Sequence, residues 1–291
     1  MAHAATIARN LGAQRQGGNW RSPCPLGCGY DLVITDGKQG LLTHCFGGCA
    51  FDDIAAVLVE FGSLDDDDVD LDVPQPIASA RSPEQDARRI ERALRTYAEA
   101  DTAGSLVPTY IHEVRGISLP LSPVLREHLQ YPHRLGIRLP VMLAGVTNAG
   151  GVLTGTHATV LRHDGRGKAD LGNPEYQRET RGKIKGGVIR LTEHDPEREL
   201  IIGEGIESTL SAMEIYHLPG WSGISADNLK DAVELPPAVR RIVIAADNDT
   251  SGAGQRAALE AHRRWVAEGR AVRIVMPPCV GDFNDLLQEG H

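Results

Sequence analysis

The 291-residue sequence is poor in aromatic residues and contains no long apolar run. Phe, Trp and Tyr make up only 4% of the residues, so we expect a core built mainly from Val, Ile, Leu and Ala. No apolar stretch reaches the roughly 18 residues that a membrane span requires. Residues 1–16 also lack the apolar segment of a secretory signal. These absences argue against membrane and secreted proteins and predict a cytoplasmic one.

A disulfide framework is not expected, because the five cysteines are an odd number and the predicted location is reducing. Four of them form two pairs with three residues inside each pair, Cys24 with Cys28 and Cys45 with Cys49. Two such turns suit the tetrahedral coordination of Zn²⁺, and so short a segment has little other core. The spacing predicts a closed, structural zinc site. Cys279 stands alone and is expected to be a buried structural thiol.

The formal net charge of −9 disfavours, by itself, a nucleic-acid partner. The acidic excess is local, however. Six aspartates lie between Asp65 and Asp72, whereas residues 160–191 carry eight Lys or Arg against four acids. Because local charge decides phosphate binding, residues 160–191 are the candidate for phosphate contacts.

The pattern of strands, helices and turns predicts three domains and a linker. Residues 1–62 predict a zinc ribbon that ends in a short helix, and the Asp- and Pro-rich residues 63–83 predict a linker. Residues 84–197 predict a small mixed α/β subdomain with basic loops, including a helix and proline turns over 110–132. In residues 198–291 short β-branched runs alternate with helices, which predicts a mostly parallel, Rossmann-like sheet. The predicted fold class is therefore α/β.

Acidic side chains follow two of the predicted parallel strands at the point where each strand ends. Glu204 and Glu207 follow one strand, and Asp247 and Asp249 follow another. The carboxyl ends of parallel strands meet at one edge of the sheet, where ligands of open α/β sheets bind. Carboxylates gathered there repel one another unless a divalent cation lies between them. The arrangement predicts a Mg²⁺ or Mn²⁺ site for phosphoryl chemistry.

Several motifs resemble those of known families. EGIES, DND and GDFNDLL are similar to motifs of the Toprim domain, the metal-binding catalytic module of bacterial DnaG-type primases, topoisomerases, recombination proteins and some nucleases. CFGGCAFDDIAAVL resembles the zinc-binding domain of the same primases. Residues 145–191 resemble the region that precedes the Toprim domain in phage- and plasmid-encoded primase-like proteins. Together these likenesses cover nearly the whole chain apart from the linker.

The resemblance implies roles for four acids. Glu204 matches a glutamate that acts as a metal ligand or proton acceptor in the family. Asp247 and Asp249 match its metal-binding pair, and Asp282 matches a further acid that often assists. Glu204, Asp247 and Asp249 are thus the predicted catalytic residues, and Asp282 joins them in the predicted magnesium site.

The chain departs from the family pattern in two places. DnaG-type enzymes have an acid four residues after the first glutamate, where this chain has Ser208. The predicted zinc ligands are four cysteines, whereas many relatives use a histidine. Whether Glu207 or Asp285 joins the metal site is left open by the sequence.

The activity implied by the resemblance is template-dependent synthesis of short RNA primers on single-stranded DNA from nucleoside triphosphates. Lys and Arg side chains on glycine-rich loops suit contacts with triphosphate or template. The predicted contact residues are Arg162, Lys168, Arg181, Lys183 and Lys185. No G-x-x-x-x-G-K-[ST] loop is present, so we expect any helicase to be a separate partner chain.

Two alternatives remain. A Toprim nuclease would use the same acids to activate water and would cleave nucleic acid without added nucleotides. A non-catalytic, nucleic-acid-binding replication factor would keep its biological role after Asp247→Asn and Asp249→Asn. A topoisomerase is disfavoured, because none of the six tyrosines has an evident setting for a nucleophile.

Overall fold

A computed structural model describes residues 4–16, 19–28, 31–36, 41–45, 49, 54, 57–58, 83–102 and 104–290. The chain divides into two compact units, residues 1–80 and residues 81–291. The linker predicted over 63–83 lies outside the described residues except for Pro83, which begins a helix, and most of the helix predicted over 51–62 also lies outside them. None of the described helices is both long enough and apolar enough to cross a membrane.

The first unit is a short helix on a four-stranded antiparallel sheet. Its elements are α1 (Ala4–Asn10), β1 (Gln14–Gln16), β2 (Asn19–Pro23), β3 (Asp31–Asp36) and β4 (Leu41–Cys45), with the strands in sequential order. The predicted hairpin is confirmed, since β3 pairs with β4 and places Leu32 opposite Cys45. Ile7, Leu32 and Ile34 form a small core together with the cysteines.

The second unit begins with helices and a four-stranded antiparallel sheet. Its first elements are α2 (Pro83–Ala98), α3 (Leu106–Pro108) with a π-helical turn (Thr109–Val114), β5 (Leu125–Pro132), β6 (Arg138–Thr147), β7 (Leu153–Val160), a 3₁₀ turn (Pro174–Gln177) and β8 (Arg178–Gly182). The helix predicted within 110–132 stops at Val114, and β5 takes the end of that segment. β5 pairs with β6 on both sides of a bulge between His128 and Tyr131, so tertiary context overrides local propensity.

The C-terminal part contains a mostly parallel five-stranded sheet, as predicted. Its elements are β9 (Ile189–Arg190), β10 (Leu200–Gly203), α4 (Ile206–Tyr216), β11 (Gly220–Ser222), α5 (Ala226–Asp231), β12 (Arg241–Ala245), α6 (Ala253–Ala267), β13 (Ala271–Val275) and α7 (Phe283–Gln288). The strand order is β13-β12-β10-β11-β9, and only β9 runs antiparallel to its neighbour. Apolar clusters cover both faces of this sheet.

The two sheets of the second unit share one hydrophobic core. Met142 and Ala144 on β6 belong to the same buried cluster as Ile201 and Val243 of the parallel sheet. The other face of the antiparallel sheet packs on α2, where Tyr97 joins its buried side chains. This shared core fixes loops from the antiparallel sheet beside the carboxyl edge of the parallel one.

Candidate functional site

The predicted acids lie at one edge of the parallel sheet. Strands β10 and β12 are parallel neighbours, and Gly203 pairs with Ala245 at their ends. Glu204 follows β10 directly, and Asp247 and Asp249 lie just beyond β12. The sheet topology therefore brings together side chains from distant parts of the sequence, as the strand pattern predicted.

Asp247 is the most strongly perturbed of these acids. Burial, together with the nearby carboxylates of Glu204, Asp282 and Asp249, raises its pKa to about 6. The Ser208 hydroxyl opposes this shift by donating a 2.7 Å hydrogen bond to Asp247 Oδ1. Burial also raises the pKa of Glu204. A carboxylate held under such repulsion favours a cation as its partner.

Asp249 lies in a different environment, because it accepts hydrogen bonds from the start of α6. The Ser251 hydroxyl and the backbone N–H groups of Gly254 and Ala253 donate to its carboxylate, and they lower its pKa to about 2. Asp249 is therefore ionised at neutral pH, and its carboxylate already accepts hydrogen bonds from the protein.

Asn248, between the two aspartates, holds the loop that carries Asp282 next to this edge. Its side chain donates to the carbonyl oxygens of Pro277 and Cys279, and its backbone pairs with Gly281. Asp282 then caps α7 by accepting hydrogen bonds from two backbone N–H groups of that helix.

Asp285 completes this capping box, because its side chain accepts a hydrogen bond from the Asp282 backbone N–H. This contact gives Asp285 a helix-capping role. Cys279, expected to be buried, is instead exposed. It lies in the loop that follows β13, where its carbonyl oxygen accepts a hydrogen bond from the Asn248 side chain.

Glu204, Asp282 and Asp249 are close enough to Asp247 to raise its pKa, yet the four predicted metal ligands do not form a tight cluster. Among the described His, Cys, Asp and Glu residues, only the four cysteines place three or more ligand atoms within 4.8 Å of one another. Hydrogen bonds hold Asp247 to Ser208 and Asp249 to α6. Mg²⁺ keeps several waters and takes only one or two carboxylates directly, so this spacing suits a hydrated ion.

Glu207 does not join the other acids at this edge; its carboxylate is bonded within a buried network. Its Oε1 accepts a 2.6 Å hydrogen bond from the Tyr110 hydroxyl and lies 2.9 Å from Lys168 Nζ. Burial alone would raise the pKa of Glu207, but Lys168 and Tyr110 outweigh it and bring the pKa well below its usual range. Arg115 donates two 3.0 Å hydrogen bonds to the same hydroxyl. The network ties the π-helical turn to α4.

We expect Glu207→Gln to destabilise the second unit by about 3 kcal/mol, because it leaves the Lys168 ammonium mostly buried without its counter-charge. Urea unfolding at pH 7 measures this loss. Because the folded-state pKa of Glu207 is lowered, its stabilising contribution is present above about pH 4 and is lost as the pH falls further.

The matched control is Glu260→Gln, which removes a surface ion pair with Arg263. Exposed pairs of this kind contribute about 0–1 kcal/mol. Equal losses for the buried and the exposed pair would contradict the assignment of Glu207 to a structural network.

The basic residues predicted to contact nucleic acid have different surroundings. Lys168 is held by Glu207 as described above, and Arg162 pairs with Asp164 on an exposed loop. Arg181 lies over the Tyr131 ring at 4.3 Å and is bonded to Glu179. Within the described part of the chain, exposed Lys183 and Lys185 form no ion pair. These two are the predicted cations that remain available for a ligand.

A cavity of about 800 Å³ lies beside Glu204 and contains residues that the sequence did not single out. Arg178 on β8 lines it, and its charge lowers the pKa of Glu204 against the effect of burial. His157 on β7 and Ile224 after β11 also line it. Ile224 has a φ of 79°, which is rare for a β-branched residue and is typical of strain retained at functional sites.

The four paired cysteines of the first unit form a second candidate metal centre. Their sulfurs all lie within 4.8 Å of one another, with Cys24 and Cys49 at 3.9 Å and Cys28 and Cys45 at 3.5 Å. Sulfurs around tetrahedral zinc lie about 3.8 Å apart, given Zn–S bonds of about 2.3 Å. Without a cation, hydrogen bonding with Cys28 and then burial raise the pKa of Cys49 to about 12. The donor set fits structural zinc.

Two segments of the second unit match models of known domains. Residues 199–291 match the model of the Toprim domain, and residues 87–191 match that of a domain of unknown function, DUF7146. The primase fragment of the bacteriophage T7 primase-helicase protein is similar in structure, with 18% identity, a TM-score of 0.44, and coverage of 67% of this chain and 73% of that chain.

Two further solved structures are similar over larger parts of the chain. For the zinc-binding and RNA polymerase domains of the Aquifex aeolicus primase, the identity is 15%, the TM-score is 0.46 and the match covers 100% of this chain and 80% of that one. For a DnaG primase catalytic domain bound to single-stranded DNA, the identity is 11% and the TM-score is 0.42. That match covers 71% of this chain and 76% of the other.

Proposed function

We propose that the chain, whose residues 199–291 match the model of the Toprim domain, is a DNA primase or primase-like nucleotidyltransferase. It synthesises short RNA primers on single-stranded DNA by metal-assisted phosphoryl transfer. The observation that carries the proposal is the set of Glu204, Asp247 and Asp249 at the carboxyl edge of neighbouring strands, beside a cavity lined by Arg178. The carboxylates can bind a metal ion and the Arg178 guanidinium can bind phosphate, so the site suits a metal-bound triphosphate.

In this proposal the three acids have different roles, because their environments differ. Asp247 and Asp249 would hold the metal ion, and Glu204, whose pKa is raised by burial, would be a metal ligand or accept the proton of the attacking hydroxyl. Bound Mg²⁺ or Mn²⁺ would neutralise charge on the triphosphate and the departing pyrophosphate. Arg178 binds phosphate oxygens at the rim of the cavity, and Lys183 and Lys185 contact the template backbone.

The first unit has a separate role in the proposal. Zinc held by the four cysteines maintains a small folded ribbon, which binds single-stranded template and helps to select the start site. A helicase, where one takes part, is a different protein. The reaction takes place in the cytoplasm, and the chain is of phage or plasmid type.

Primer synthesis by the purified full chain tests the proposal. We expect labelled nucleoside triphosphates to be incorporated into short products on a pool of random single-stranded DNA, with Mg²⁺ or with Mn²⁺ and not with EDTA. No product with either metal on varied templates would overturn it. Metal-dependent cleavage of the DNA without added nucleotides would instead identify a Toprim nuclease.

A further inference from the structure

Asn228 is a buried polar residue to which the proposed chemistry gives no role. It lies in the first turn of α5 and is 8% exposed. Its Oδ1 accepts a 2.9 Å hydrogen bond from the backbone N–H of Gly186. Its Nδ2 donates 2.9 Å hydrogen bonds to the carbonyl oxygens of Gly187 and Gly223. Asn228 therefore joins two separate segments of the second unit through their main chains.

The first of these segments is the basic turn, defined as residues 183–187, which connects the antiparallel sheet to β9 of the parallel sheet. Lys183 and Lys185 are exposed, and Ile184 between them lines the cavity described above. Gly186 has a φ of 84°, a backbone conformation that favours glycine. The two lysines therefore lie on either side of a residue that lines the proposed active site.

The second segment, between β11 and α5, forms another wall of the same cavity. Ile224 and Ser225 line the cavity there. Ser222, at the end of β11, donates a 2.8 Å hydrogen bond to the carbonyl oxygen of Glu204. This segment is thus bonded to the residue that the proposal places in catalysis. Asn228 consequently fixes the basic turn relative to the acidic edge.

A fixed turn matters because lysine is a flexible ligand for phosphate. An ammonium group on a four-carbon side chain loses conformational entropy when it binds. A backbone that already has its bound shape avoids the further cost of ordering the turn. The same two charges on a turn that must be ordered would therefore hold DNA more weakly.

We propose that Asn228 is a positioning residue for template binding: it fixes the basic turn so that Lys183 and Lys185 are held beside the cavity, where they contact single-stranded DNA. The inference rests on the proposed function, which assigns template contacts to these two lysines. Asn228 itself does not touch the template, and its effect passes through the basic turn.

Binding of fluorescent oligo(dT) to the full chain, measured by anisotropy at several salt concentrations, tests the assignment. We expect Lys183→Ala with Lys185→Ala to weaken binding and to reduce the slope of log Kd against log salt by about 1.4, since each phosphate contact with a single strand contributes about 0.7. Asn228→Ala should weaken binding by about tenfold although no charge is lost. In the chain without the two lysines, the same substitution should change the affinity by less than about twofold.

This non-additivity separates positioning from a general structural role, because a loss of folding stability would act equally in both backgrounds. Gly186→Ala is a second variant, which strains the same turn at its positive φ and retains the Asn228 side chain. It should show the same dependence on the lysines, and it provides the test where thermal unfolding shows that Asn228→Ala is not folded. The matched control is Asn148→Ala, which removes a side-chain hydrogen bond from the turn between β6 and β7 and should keep the wild-type affinity.

Three results would overturn the proposal: equal losses from Asn228→Ala with and without the lysines, wild-type affinity in folded Asn228→Ala, or unchanged affinity after both lysines are removed. Primer synthesis, measured separately, distinguishes this failure from a failure of the proposed function. Any of the three in a chain that makes primers would overturn the role of Asn228 alone. A lysine-dependent loss of DNA binding in Asn228→Ala, in a chain that makes no primers, would support that role and overturn the primase assignment.

Discussion

Asp247→Asn is expected to reduce primer synthesis by on the order of 10³-fold or more while the chain stays folded. The substitution removes one of the negative charges that the proposed metal ion needs, yet it changes neither the size nor the shape of the side chain. The amide oxygen can still accept the Ser208 hydrogen bond that Asp247 Oδ1 accepts. The loss should appear in the rate of synthesis at saturating nucleotide and should not be recovered by more template.

The same substitution should stabilise the metal-free protein. An acid whose folded-state pKa is about 6, against about 3.9 when unfolded, is harder to ionise in the folded state. Its unfavourable contribution therefore grows as the pH rises from about 4 to about 6 and is constant above that. Removing the charge should raise the free energy of unfolding by up to about 3 kcal/mol at pH 7.5 in EDTA, with no gain at pH 4.

Asp231→Asn, at an exposed position of α5, is the matched control and should alter neither synthesis nor stability. Asp249→Asn is a less direct test, because Asp249 also accepts hydrogen bonds from the start of α6. Weakening those hydrogen bonds lowers the folding stability as well. Synthesis by Asp247→Asn at more than about a tenth of the wild-type rate would argue that the acidic edge is not the catalytic centre.

The sequence predicted those features of the site that depend on strand order. Short β-branched runs mark β10 and β12, and an acid directly after such a run must lie at the carboxyl edge of the sheet. That is why the strand pattern alone predicts the position of Glu204, Asp247 and Asp249 at this edge. The four cysteines were predicted for a related reason, because close pairs in the sequence stay close in the fold.

The features that were missed depend on packing between distant segments. Glu207 follows the same strand as Glu204, but its partner Tyr110 is 97 positions away in the sequence. For His157, alternation along β7 predicts only which face of the sheet the side chain lies on. It does not predict that Arg178 and Glu204 line the same cavity. Ser208 was noted as a departure from the family pattern, yet its contact with Asp247 needed the geometry of α4 against β12.

Cys45→Ser should remove the zinc and unfold the first unit. Cys45 lies at the end of β4, is 4% exposed and packs with Leu32 and Ile34 in a core that has few other members. Structural zinc contributes about 10–16 kcal/mol of apparent binding free energy, and much of that energy is folding energy. With one thiolate of four lost, we expect zinc affinity to fall by on the order of 10³-fold.

Metal analysis of the purified full chain should give one zinc per wild-type chain and none for Cys45→Ser. Limited proteolysis should then digest residues 1–80 of the variant, whereas residues 81–291, whose core is separate, should resist as in the wild type. Cys279→Ser is the matched control, because this thiol is exposed and lies outside the cluster, and it should keep its zinc.

The effect on activity separates the two metal centres. Because the acidic edge belongs to the second unit, Cys45→Ser should leave its Mg²⁺-dependent nucleotide binding intact and lose selection of the start site on the template. Full zinc occupancy in Cys45→Ser, or a protease-resistant first unit without zinc, would contradict a structural metal site. Loss of nucleotide binding together with the zinc would show that the ribbon does more than bind template.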